Sequence, residues 1–486
     1  MEEAVLDIVI TINSYLSNYV LIILLIGAGL YFTIRTRFVQ VRCFIEGWKR
    51  VFGGFSLFGK KEKSGMSSFQ ALTTAIAAQV GTGNIVGACG AILIGGPGAI
   101  FWMWLIAFLG MATNYAEAVL AQKTRLVDSD GIVHGGPVYY IKTAFRGKFG
   151  TFLAGFFSVA IILALGFMGC MVQSNSIAST CETAFGIPAW VWGVAVVAIA
   201  GYVFIGGVGR LAVVTEKIVP IMAIVYLVGG LIVLFCNLPA TGEAFALIFS
   251  CAFNPQAEIG GVTFGILAAL AQGAKRGLFS NEAGMGSTPH AHAQANVKNP
   301  HEQGTVALIG VFVDTFIVVT ITALVTISML YTGDGALAQG AYEGIDKTNM
   351  AQLAFGAVFG ATGGNVFVAI CLLFFAFSTI LSWNLFAKIN VEYLFGKKAV
   401  PVFTVIALVF IFMGSLLSND LVWELADMFN QLMVLPNVIG LIALGGGVAA
   451  CAKTAGKSWG KISAKLEKEH EQGIHDGKSD KPEWEA

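Results

Sequence analysis

The stretch from Ala77 to Asn84, with the sequence AAQVGTGN, places two glycines, a threonine and two side-chain amides inside the apolar segment 67–95. These groups donate and accept hydrogen bonds, which suits ligand binding. Glycine costs about 1 kcal/mol against alanine inside a helix, so the sequence predicts a helix interrupted at Gly81 and Gly83. An interruption frees backbone N–H and C=O groups, and at membrane depth these are tolerated only when buried in protein or lining a polar cavity. We therefore predict a ligand site here.

The composition places this stretch in a membrane protein. Of the 486 residues, 56% are hydrophobic and only 12% are charged. The 59 glycines exceed the share of about 7% in average proteins. A soluble domain is excluded, and a net charge of zero gives no indication of a nucleic-acid partner. The predicted fold class is an all-α polytopic membrane protein that lies in the lipid bilayer.

Apolar runs long enough to cross a membrane recur eleven times. Lysine and arginine favour cytoplasmic loops, and with the N-terminus outside, 28 of the 29 basic residues fall on or toward the inner side and only Lys347 outside. We therefore expect a protein of the cytoplasmic membrane, N-terminus outside and C-terminus in the cytoplasm. The predicted spans are residues 16–34, 67–95, 98–121, 149–172, 189–208, 211–236, 258–282, 303–331, 363–386, 399–416 and 421–450.

After the first, peripheral span, the other ten divide into two sets of five with opposite orientation. Each set opens with a glycine-rich polar interruption: Gln79 to Asn84 in the first, and Gln272 to Gly277, QGAKRG, in the second. Paired interruptions in two halves point to a transporter's midplane site, so we predict a 5+5 inverted repeat with two broken helices. The expected units are 1–66 with the basic inner loop, 67–236 as the first repeat, 237–257 as an outer connector, 258–450 as the second repeat and 451–486 as a cytoplasmic tail.

Three shorter segments are expected to lie along the membrane rather than across it. One begins at Gly135 and reads as an amphipathic helix on the inner side. The other two, residues 244–253 and 350–359, are too short to span and are expected as surface helices on the outer side.

Three motifs resemble the alanine or glycine:cation symporter family. They are QVGTGNIVG from Gln79, GGPGAIFWMWL from Gly95 and RGLFSNEAG from Arg276, and the likeness runs from the first span to the last. The resemblance implies sodium-coupled uptake of a small neutral amino acid, alanine or glycine, and the leucine-transporter type of inverted-repeat fold. Gln79 departs from the smaller residue expected there, which leaves the fine substrate preference open.

A zwitterionic amino acid needs donors for its carboxylate and acceptors for its ammonium. Half-helix N-termini supply donors, so the backbone at Gly81, Thr82 and Gly83 is the candidate carboxylate site. Freed carbonyls near Gln272 and Gly273 are the candidate ammonium site. Gln79 and Asn84 can each donate and accept; the alternative for both amides is a bond between helices.

Sodium, the expected coupling ion, prefers oxygen ligands. The resemblance implies a set made of the Ala77 and Val80 carbonyls with the hydroxyls of Ser378 and Thr379. The alternative is that the Ser-Thr pair bonds to its own helix.

The size of the pocket is suggested by two aromatic residues. Trp383 lies one turn beyond Thr379, and Phe167 is on the fourth span. As pocket walls they would leave space for a side chain of zero or one carbon; as core or interfacial aromatics they would not touch the substrate.

Asp314, midway along the eighth span, is the remaining candidate. A carboxylate there costs about 2.5–3.5 kcal/mol on insertion scales, so it is functional by default. Its partner would be an ion, Lys275 or Arg276. Otherwise those two cations extend to the interface and Asp314 bonds neighbouring threonines.

Other function classes have weaker support. The spans contain no HExxH motif, no paired aspartates and no Ser-His arrangement, so no enzyme is indicated. The histidines at 290, 292 and 301 have no spacing typical of a metal site. A proton-coupled carrier or an amino-acid exchanger of the same fold is the closer alternative to a sodium symporter, and a channel the more distant one. Because one chain carries both halves, a monomer is expected to suffice for transport.

Overall fold

The computed structural model describes residues 2–52, 66–127, 133–254 and 257–454. Lys60, Lys61 and Lys63 of the predicted inner loop, and the tail from 455, lie outside the described residues. The described chain is almost entirely helical, as expected from its composition. The peripheral segment comprises α1 (Glu2–Tyr15), α2 (Ile22–Arg35), α3 (Val39–Arg42) and α4 (Phe44–Phe52), with a π-helical stretch at Leu16–Leu21.

The first predicted repeat opens with a helix in two pieces. Ser67 caps the first piece, because its hydroxyl accepts from Gln70 N (3.1 Å) while its own N–H donates to the Gln70 side chain (3.2 Å). The helices are α5 (Ser68–Gln79), α6 (Ala88–Gly95), α7 (Ala99–Thr124), α8 (Pro137–Ala144), α9 (Lys148–Ile161), α10 (Cys170–Phe185), α11 (Ala189–Ile205) and α12 (Gly207–Cys236), with π-helical stretches at Gly83–Gly87 and Ile162–Gly169. The predicted outer connector contains α13 (Leu238–Phe253).

The second predicted repeat contains the longest helix of the described chain, α19. Its helices are α14 (Ile266–Asn281), α15 (Pro289–Gln294), α16 (Pro300–Val311), α17 (Thr320–Leu330), α18 (Met350–Phe359), α19 (Ala361–Phe395), α20 (Val400–Gly414), α21 (Asn419–Ala443) and α22 (Gly445–Thr454), with a π-helical stretch at Phe312–Val319 and a 3-10 turn at Lys397–Ala399.

Two short antiparallel hairpins complete the described secondary structure. Strand β1 (Leu126–Val127) pairs with β2 (Val133–His134), and β3 (Ala257–Ile259) pairs with β4 (Val262–Phe264). In the register of the second hairpin, Glu258 is opposite Thr263. The first hairpin follows α7, and the second leads from α13 into α14.

Eight helical stretches of the described chain are long and apolar enough to cross a membrane, and nine are if the bent pair α5 and α6 counts as one span. These nine coincide with nine of the predicted spans. The other two predicted spans correspond to the shorter helices α11, of 17 residues, and α14, of 16 residues. The count of eleven and the boundaries of the two repeats remain predictions. The predicted short helices are present as α8, α13 and α18, although α13 begins at Leu238 rather than at 244.

Three of the basic residues predicted to lie on the inner side, Arg42, Lys123 and Arg125, bond to neighbouring segments, whereas Arg276, also predicted there, lies with Lys347 at the Trp423 ring. Arg42 donates to Ala452 O (2.7 Å), and Lys123 donates to Gly447 O (3.2 Å). Arg125 donates to Ala293 O (2.9 Å). These contacts join α3 to α22, α7 to α22, and the residue after α7 to α15.

Lys347, the basic residue predicted to lie outside, packs against the start of α21. Its ammonium is 3.0 Å from Asp420 Oδ1 and 5.4 Å from the centre of the Trp423 ring. Burial, and then the charge of Arg276, lower the pKa of Lys347 despite the nearby carboxylate. Lys347 therefore ties the segment between α17 and α18 to the start of α21.

Candidate functional site

The first interruption lies where the sequence predicts it. Helix α5 ends at Gln79, Val80 leaves the helical conformation with ψ near 88°, and the chain resumes at Gly83 with an axis bent by 47°. Every residue from Ala77 to Asn84 is buried. The interruption is therefore enclosed by protein, which is the condition for freed backbone groups at membrane depth.

The freed N–H groups after Val80 are held by two amide side chains. Gly81 N donates to Asn84 Oδ1 (2.9 Å). Thr82 N donates to Gln173 Oε1 (3.0 Å), and the Thr82 hydroxyl donates to the same oxygen (2.7 Å). The Gln173 Nε2 group is buried, with no hydrogen-bond partner in the described residues. The N-terminal end of the second half-helix thus presents the Thr82 N–H and hydroxyl to Gln173 Oε1, and the Gly81 N–H to Asn84 Oδ1.

The two glycines of the interruption permit close approach of neighbouring helices. A Cβ on Gly81 would collide with the Thr379 hydroxyl on α19. A Cβ on Gly83 would lie 3.0 Å from Ser280 Cα and 3.3 Å from Phe279 O, at the end of α14. Both halves of the chain therefore meet at these two positions, and any larger residue would separate them.

Backbone carbonyls gather around one hydroxyl on the other side of the interruption. Thr379 Oγ1 lies 2.8 Å from Ala77 O, 3.5 Å from Val80 O and 3.1 Å from Phe375 O. The structure thus brings together three of the four residues predicted to bind sodium. Their oxygens carry no formal charge and come from both halves of the chain.

Ser378, the fourth predicted ligand, contacts its own helix. Its hydroxyl donates to Phe375 O (2.9 Å) and lies 3.6 Å from Met222 Sδ. It reaches the cluster only through the carbonyl that it shares with Thr379. The alternative of a bond within its own helix therefore describes Ser378 in this structure.

The second interruption is not at Gln272 to Gly277, and that prediction was wrong. Helix α14 runs unbroken from Ile266 to Asn281. It ends at Glu282, whose φ of 57° is left-handed, and the next helix begins at Pro289 after Gly284 and Gly286 at φ of 88° and 85°. The interruption is thus the segment 282–288, where the apolar pattern had predicted the start of an inner loop.

The glycines of α14 serve packing instead. A Cβ on Gly273 would lie 2.6 Å from Trp102 Cβ and 2.8 Å from Ala99 O, so Gly273 lets α14 approach α7. A Cβ on Gly95 would lie 3.1 Å from Gln272 Cβ. Gln272 and Gly273 therefore lie against α6 and α7 and expose no freed carbonyl for an ammonium group.

Two buried glutamates hold the segment 282–288. Glu117 on α7 accepts from Gly284 N (3.0 Å), Gly286 N (2.9 Å) and Asn437 Nδ2 (2.7 Å). Its carboxylate therefore satisfies the donors that the second interruption frees, and it ties that interruption to α21.

Glu282 ties the same segment to α19. It accepts from the Ser287 hydroxyl and from Trp383 Nε1 at 2.5 Å. The Trp383 ring also meets Phe279 edge-on, with 5.7 Å between the ring centres. Trp383 thus lies against the end of α14 and the second interruption, a position consistent with a pocket wall.

Phe167 does not share this position. Its ring stacks on Phe410 at 4.7 Å and lies 5.6 Å from Phe403, both on α20. It is half-buried in a small cluster apart from the main core. The prediction of Phe167 as a pocket wall is therefore wrong, and its alternative as a packing residue describes it.

Asp314 is directly connected to the first interruption. It accepts from Asn84 Nδ2 (2.5 Å), Ser280 Oγ (2.9 Å) and Thr315 Oγ1 (2.8 Å). Gln79 is connected to the same region, because its amide donates to Asn281 O (2.7 Å). A fully buried carboxylate thus links α5–α6, α14 and the π-helical stretch after α16.

Lys275 and Arg276 are not the partners of Asp314. Lys275 lies 2.8 Å from Asp427 Oδ2 and 3.1 Å from Glu424 Oε1. Arg276 lies 3.1 Å from Asp427 Oδ2, with its guanidinium 4.6 Å from the Trp423 ring centre. The two cations belong to a charge cluster with α21. Asp314 instead accepts hydrogen bonds from neutral donors. One of them is Thr315, and a bond to neighbouring threonines was the alternative predicted for Asp314.

Sequence reasoning missed Gln173 and Ser280. Gln173 has no spacing relation to the interruption that it caps, so only tertiary structure shows it. The run NEAGMGSTP from Asn281 was available as a signal: two glycines two residues apart, followed by a proline, are as disruptive as the motif at Gly81 and Gly83.

The sequence of this chain is similar to that of a known protein family over most of its length. A model of the sodium:alanine symporter family matches residues 2–467. The chain is 38% identical to the sodium/alanine symporter AgcS of Methanococcus maripaludis, over 92% of this chain and 96% of that protein. It is 39% identical to the putative sodium/proton-dependent alanine carrier YrbD of Bacillus subtilis, over 90% of each.

The fold also matches a solved structure. The crystal structure of MhsT in complex with L-phenylalanine aligns with a TM-score of 0.56 over 83% of this chain and 96% of that chain, at 15% identity. At this identity the match concerns the fold alone. It confirms the leucine-transporter type of architecture that the resemblance implied.

Proposed function

This chain belongs to the sodium:alanine symporter family, and from that premise we propose that it carries alanine or glycine into the cell together with sodium. The chain is a multi-pass membrane transporter. The main support for this proposal is that the Thr379 hydroxyl contacts the Ala77 and Val80 carbonyls, next to the freed N–H groups of Gly81 and Thr82. An ion and an amino acid bound at one interruption would each favour the same arrangement of the helices.

The substrate carboxylate would bind the donors of the first interruption. Gly81 N and Thr82 N point to the amide oxygens of Asn84 and Gln173, which take the places that carboxylate oxygens would occupy. A helix N-terminus stabilises a negative charge through its free N–H groups and its dipole. Substrate binding would therefore release Gln173 Oε1 or Asn84 Oδ1 from the backbone.

The ammonium group would bind at the C-terminal end of α14, not at Gln272 and Gly273. The last carbonyls of a helix lack partners within it and carry partial negative charge. Phe279 O faces Gly83 across the gap between the two halves. A zwitterion lying between Thr82 and Phe279 would thus have each charge at a helix end of the opposite sign.

The space around this position favours a very small side chain. Phe279 and Trp383 form one edge, and a Cβ on Gly169 would lie 2.5 Å from the Trp383 ring. Trp383 is fixed in orientation by Glu282. A methyl group or a hydrogen at the substrate Cα is therefore the side chain that we propose.

Sodium would bind among the Ala77, Val80 and Phe375 carbonyls and the Thr379 hydroxyl, with Ser378 as a further oxygen. Hard cations prefer oxygen ligands, and the donor set contains oxygen alone. With sodium bound, the Thr379 hydroxyl would turn its proton away from Ala77 O and offer a lone pair to the ion. The set needs no carboxylate, so binding would add one positive charge.

Asp314 supports a second candidate, coupling to protons. Among the described carboxylates, Asp314 is the one that bonds Asn84 of the first interruption. A carboxyl group that gained a proton would become a donor and change its bonds to Asn84 and Ser280. We rank proton coupling second because the oxygens proposed to bind sodium come together without Asp314.

The test is uptake of labelled alanine into proteoliposomes. Three conditions are compared: an inward sodium gradient, an inward proton gradient and no gradient. We expect accumulation with the sodium gradient alone, and unlabelled alanine and glycine should compete better than glutamine or phenylalanine. Accumulation with protons alone, or only counter-exchange against internal alanine, would contradict sodium symport.

The orientation in the membrane is also proposed from the charge pattern. With the N-terminus outside, the end of the bundle that gathers Arg42, Lys123 and Arg125 faces the cytoplasm. The end with Lys347 and Asp420 then faces outward.

A further inference from the structure

Two ligand-type side chains that are close in sequence, Cys43 and Glu46, meet a third from the second half of the chain, His301. Cys43, Glu46 and His301 each direct one sulfur, oxygen or nitrogen atom toward the others, and these atoms all lie within 4.8 Å of one another. Cys43 and His301 are buried, whereas Glu46 is partly exposed. The cluster lies apart from both helix interruptions and takes no part in the transport mechanism described above.

The local sequence explains how two of the three converge. Cys43 immediately precedes α4 and Glu46 lies in its first turn, so their i,i+3 spacing places both side chains on one face. That face packs against α16, where a Cβ on Gly47 would lie 3.0 Å from Ile309 Cγ1 and would also collide with Thr305 O.

The third ligand is held at the start of α16. Asn299 caps this helix by accepting from His301 N at 2.9 Å, which fixes the backbone of His301 opposite α4. The imidazole then reaches the same point as Cys43 and Glu46.

His301 and Glu46 are each oriented by a second interaction that leaves the converging atom available. His301 Nδ1 shares a hydrogen bond of 2.7 Å with the Tyr115 hydroxyl, so Nε2 faces Glu46 Oε2 at 3.4 Å. Glu46 Oε1 is taken by Arg50 at 2.9 Å, which leaves Oε2. Within the described part of the chain, Cys43 Sγ has no hydrogen-bond partner. A metal-binding histidine usually has its other ring nitrogen bonded in this way.

We propose that Cys43, Glu46 and His301 form a binding site for a divalent cation of the zinc type. Zinc takes one sulfur, one nitrogen and one carboxylate oxygen at about 2.0–2.3 Å in tetrahedral geometry. Such ligands lie roughly 3.5 Å apart, close to the separation already present between His301 and Glu46. Calcium and magnesium prefer oxygen alone, so the cysteine and histidine select against them.

Occupation of this site would join α4 to α16 by metal bonds. These helices already pack at Gly47, and they are also linked by an ion pair of Arg50 with Glu302 at 3.5 Å, with both side chains about one-third exposed. Exposed ion pairs contribute little. The metal would therefore fix the segment after the first span to the second half of the chain, and this inference does not depend on the proposed substrate or coupling ion.

The test is metal binding by the purified full-length protein in detergent. Zinc is titrated in competition with a chromophoric chelator, and cobalt is titrated separately while the visible spectrum is recorded. We expect one zinc ion per chain and a cobalt spectrum with a thiolate charge-transfer band. Cys43→Ser and Glu46→Gln should each weaken zinc binding at least about tenfold, and the band should disappear in Cys43→Ser.

Two further variants separate this site from general thiol binding. Cys89→Ser removes another buried thiol, which contacts Thr326 Oγ1 at 3.7 Å, and should leave zinc binding unchanged. Tyr115→Phe removes no ligand but frees the His301 ring, and should weaken zinc binding about 10-fold to 100-fold.

Glu46→Gln alters a partly exposed side chain, so it remains informative if Cys43→Ser folds poorly. The proposal is overturned if the wild type binds no zinc, if Cys43→Ser and Glu46→Gln bind it as well as the wild type, or if calcium binds at the same site with equal affinity.

Discussion

Thr379 is the residue on which both halves of the proposed mechanism depend. Its hydroxyl meets two carbonyls of the first interruption, and Gly81 leaves space for it. A hydrogen bond or ligand bond to a charged group contributes about 1.5–3 kcal/mol. This residue therefore gives the sharpest mutational test of the proposed sodium set.

We predict that Thr379→Val raises the sodium concentration for half-maximal alanine uptake by about 10-fold to 100-fold. Valine keeps the shape of threonine and removes only the oxygen. Thr379→Ser should retain most of the sodium affinity, since it keeps the hydroxyl. Uptake by Thr379→Val with unchanged sodium dependence would exclude this hydroxyl as a ligand.

Asp314 gives a second prediction at the same scale. In Asp314→Asn an amide replaces one carboxylate oxygen, and the bonds from Asn84 and Ser280 can no longer all form. We expect alanine uptake to fall about tenfold or more, measured at saturating sodium and with equal protein in the membrane. The matched control is Asp334→Asn, an exposed aspartate, which should retain uptake.

The outcome also separates the two roles considered for Asp314. If the carboxylate only positions Asn84, the wild-type pH profile and that of Asp314→Asn should have the same shape. A wild-type profile that follows proton supply, lost in the variant, would favour proton coupling instead.

Some of these residues could be predicted from sequence and others could not. Gly81, Thr82 and Asn84 stand out because a polar, glycine-rich run inside an apolar helix is costly unless the freed groups bind something. The prediction for Phe167 was wrong because an aromatic residue in a span has the same sequence signature in a pocket as in a packing cluster. Gln173 was missed because a single buried amide gives no sign of which backbone it will cap.

Among the elements, the interrupted helix α5–α6 is the feature that the sequence predicted best. Its glycines are required by contact, since Gly81 faces Thr379 and Gly83 faces the end of α14. The predicted position of the second interruption was wrong because a glycine that allows helix packing and a glycine that follows a helix end look alike in sequence. Gly273 allows two helices to approach, whereas Gly284 and Gly286 have positive φ in the segment that follows the helix end at Glu282.

The packing of α19 against the first interruption should be very sensitive to the size of the side chain at position 81. We predict that Gly81→Ala reduces alanine uptake at least tenfold, because the new methyl group would collide with the Thr379 hydroxyl and overpacking of this kind costs about 1–3 kcal/mol. Uptake is measured per inserted protein molecule. The matched control is Gly155→Ala on α9, where an added Cβ meets nothing within 4 Å; equal uptake by both variants would move the site elsewhere.

For the whole molecule, the charge pattern predicts which end faces outward. Of the eight cysteines, Cys236 at the end of α12 is exposed and the others are buried. A membrane-impermeant maleimide should therefore label intact cells at Cys236, and Cys236→Ser should abolish that labelling. Labelling confined to inside-out vesicles would reverse the proposed topology.

Positive charge and apolar length were sufficient to predict the class of fold, because they reflect the bilayer directly. The contacts between the halves were not predictable in the same way. Lys275 and Arg276 pair with Asp427 on α21, a residue more than 150 positions away, and no local pattern marks that pairing.

The central claim is that sodium and the amino acid bind together at one interrupted helix. The most direct test is equilibrium binding of labelled alanine to the purified protein over a series of sodium concentrations, for the wild type and Thr379→Val. Because binding linkage is reciprocal, we predict that sodium increases the alanine affinity of the wild type and has little effect on that of the variant. Alanine binding of equal affinity with and without sodium in the wild type would contradict the claim.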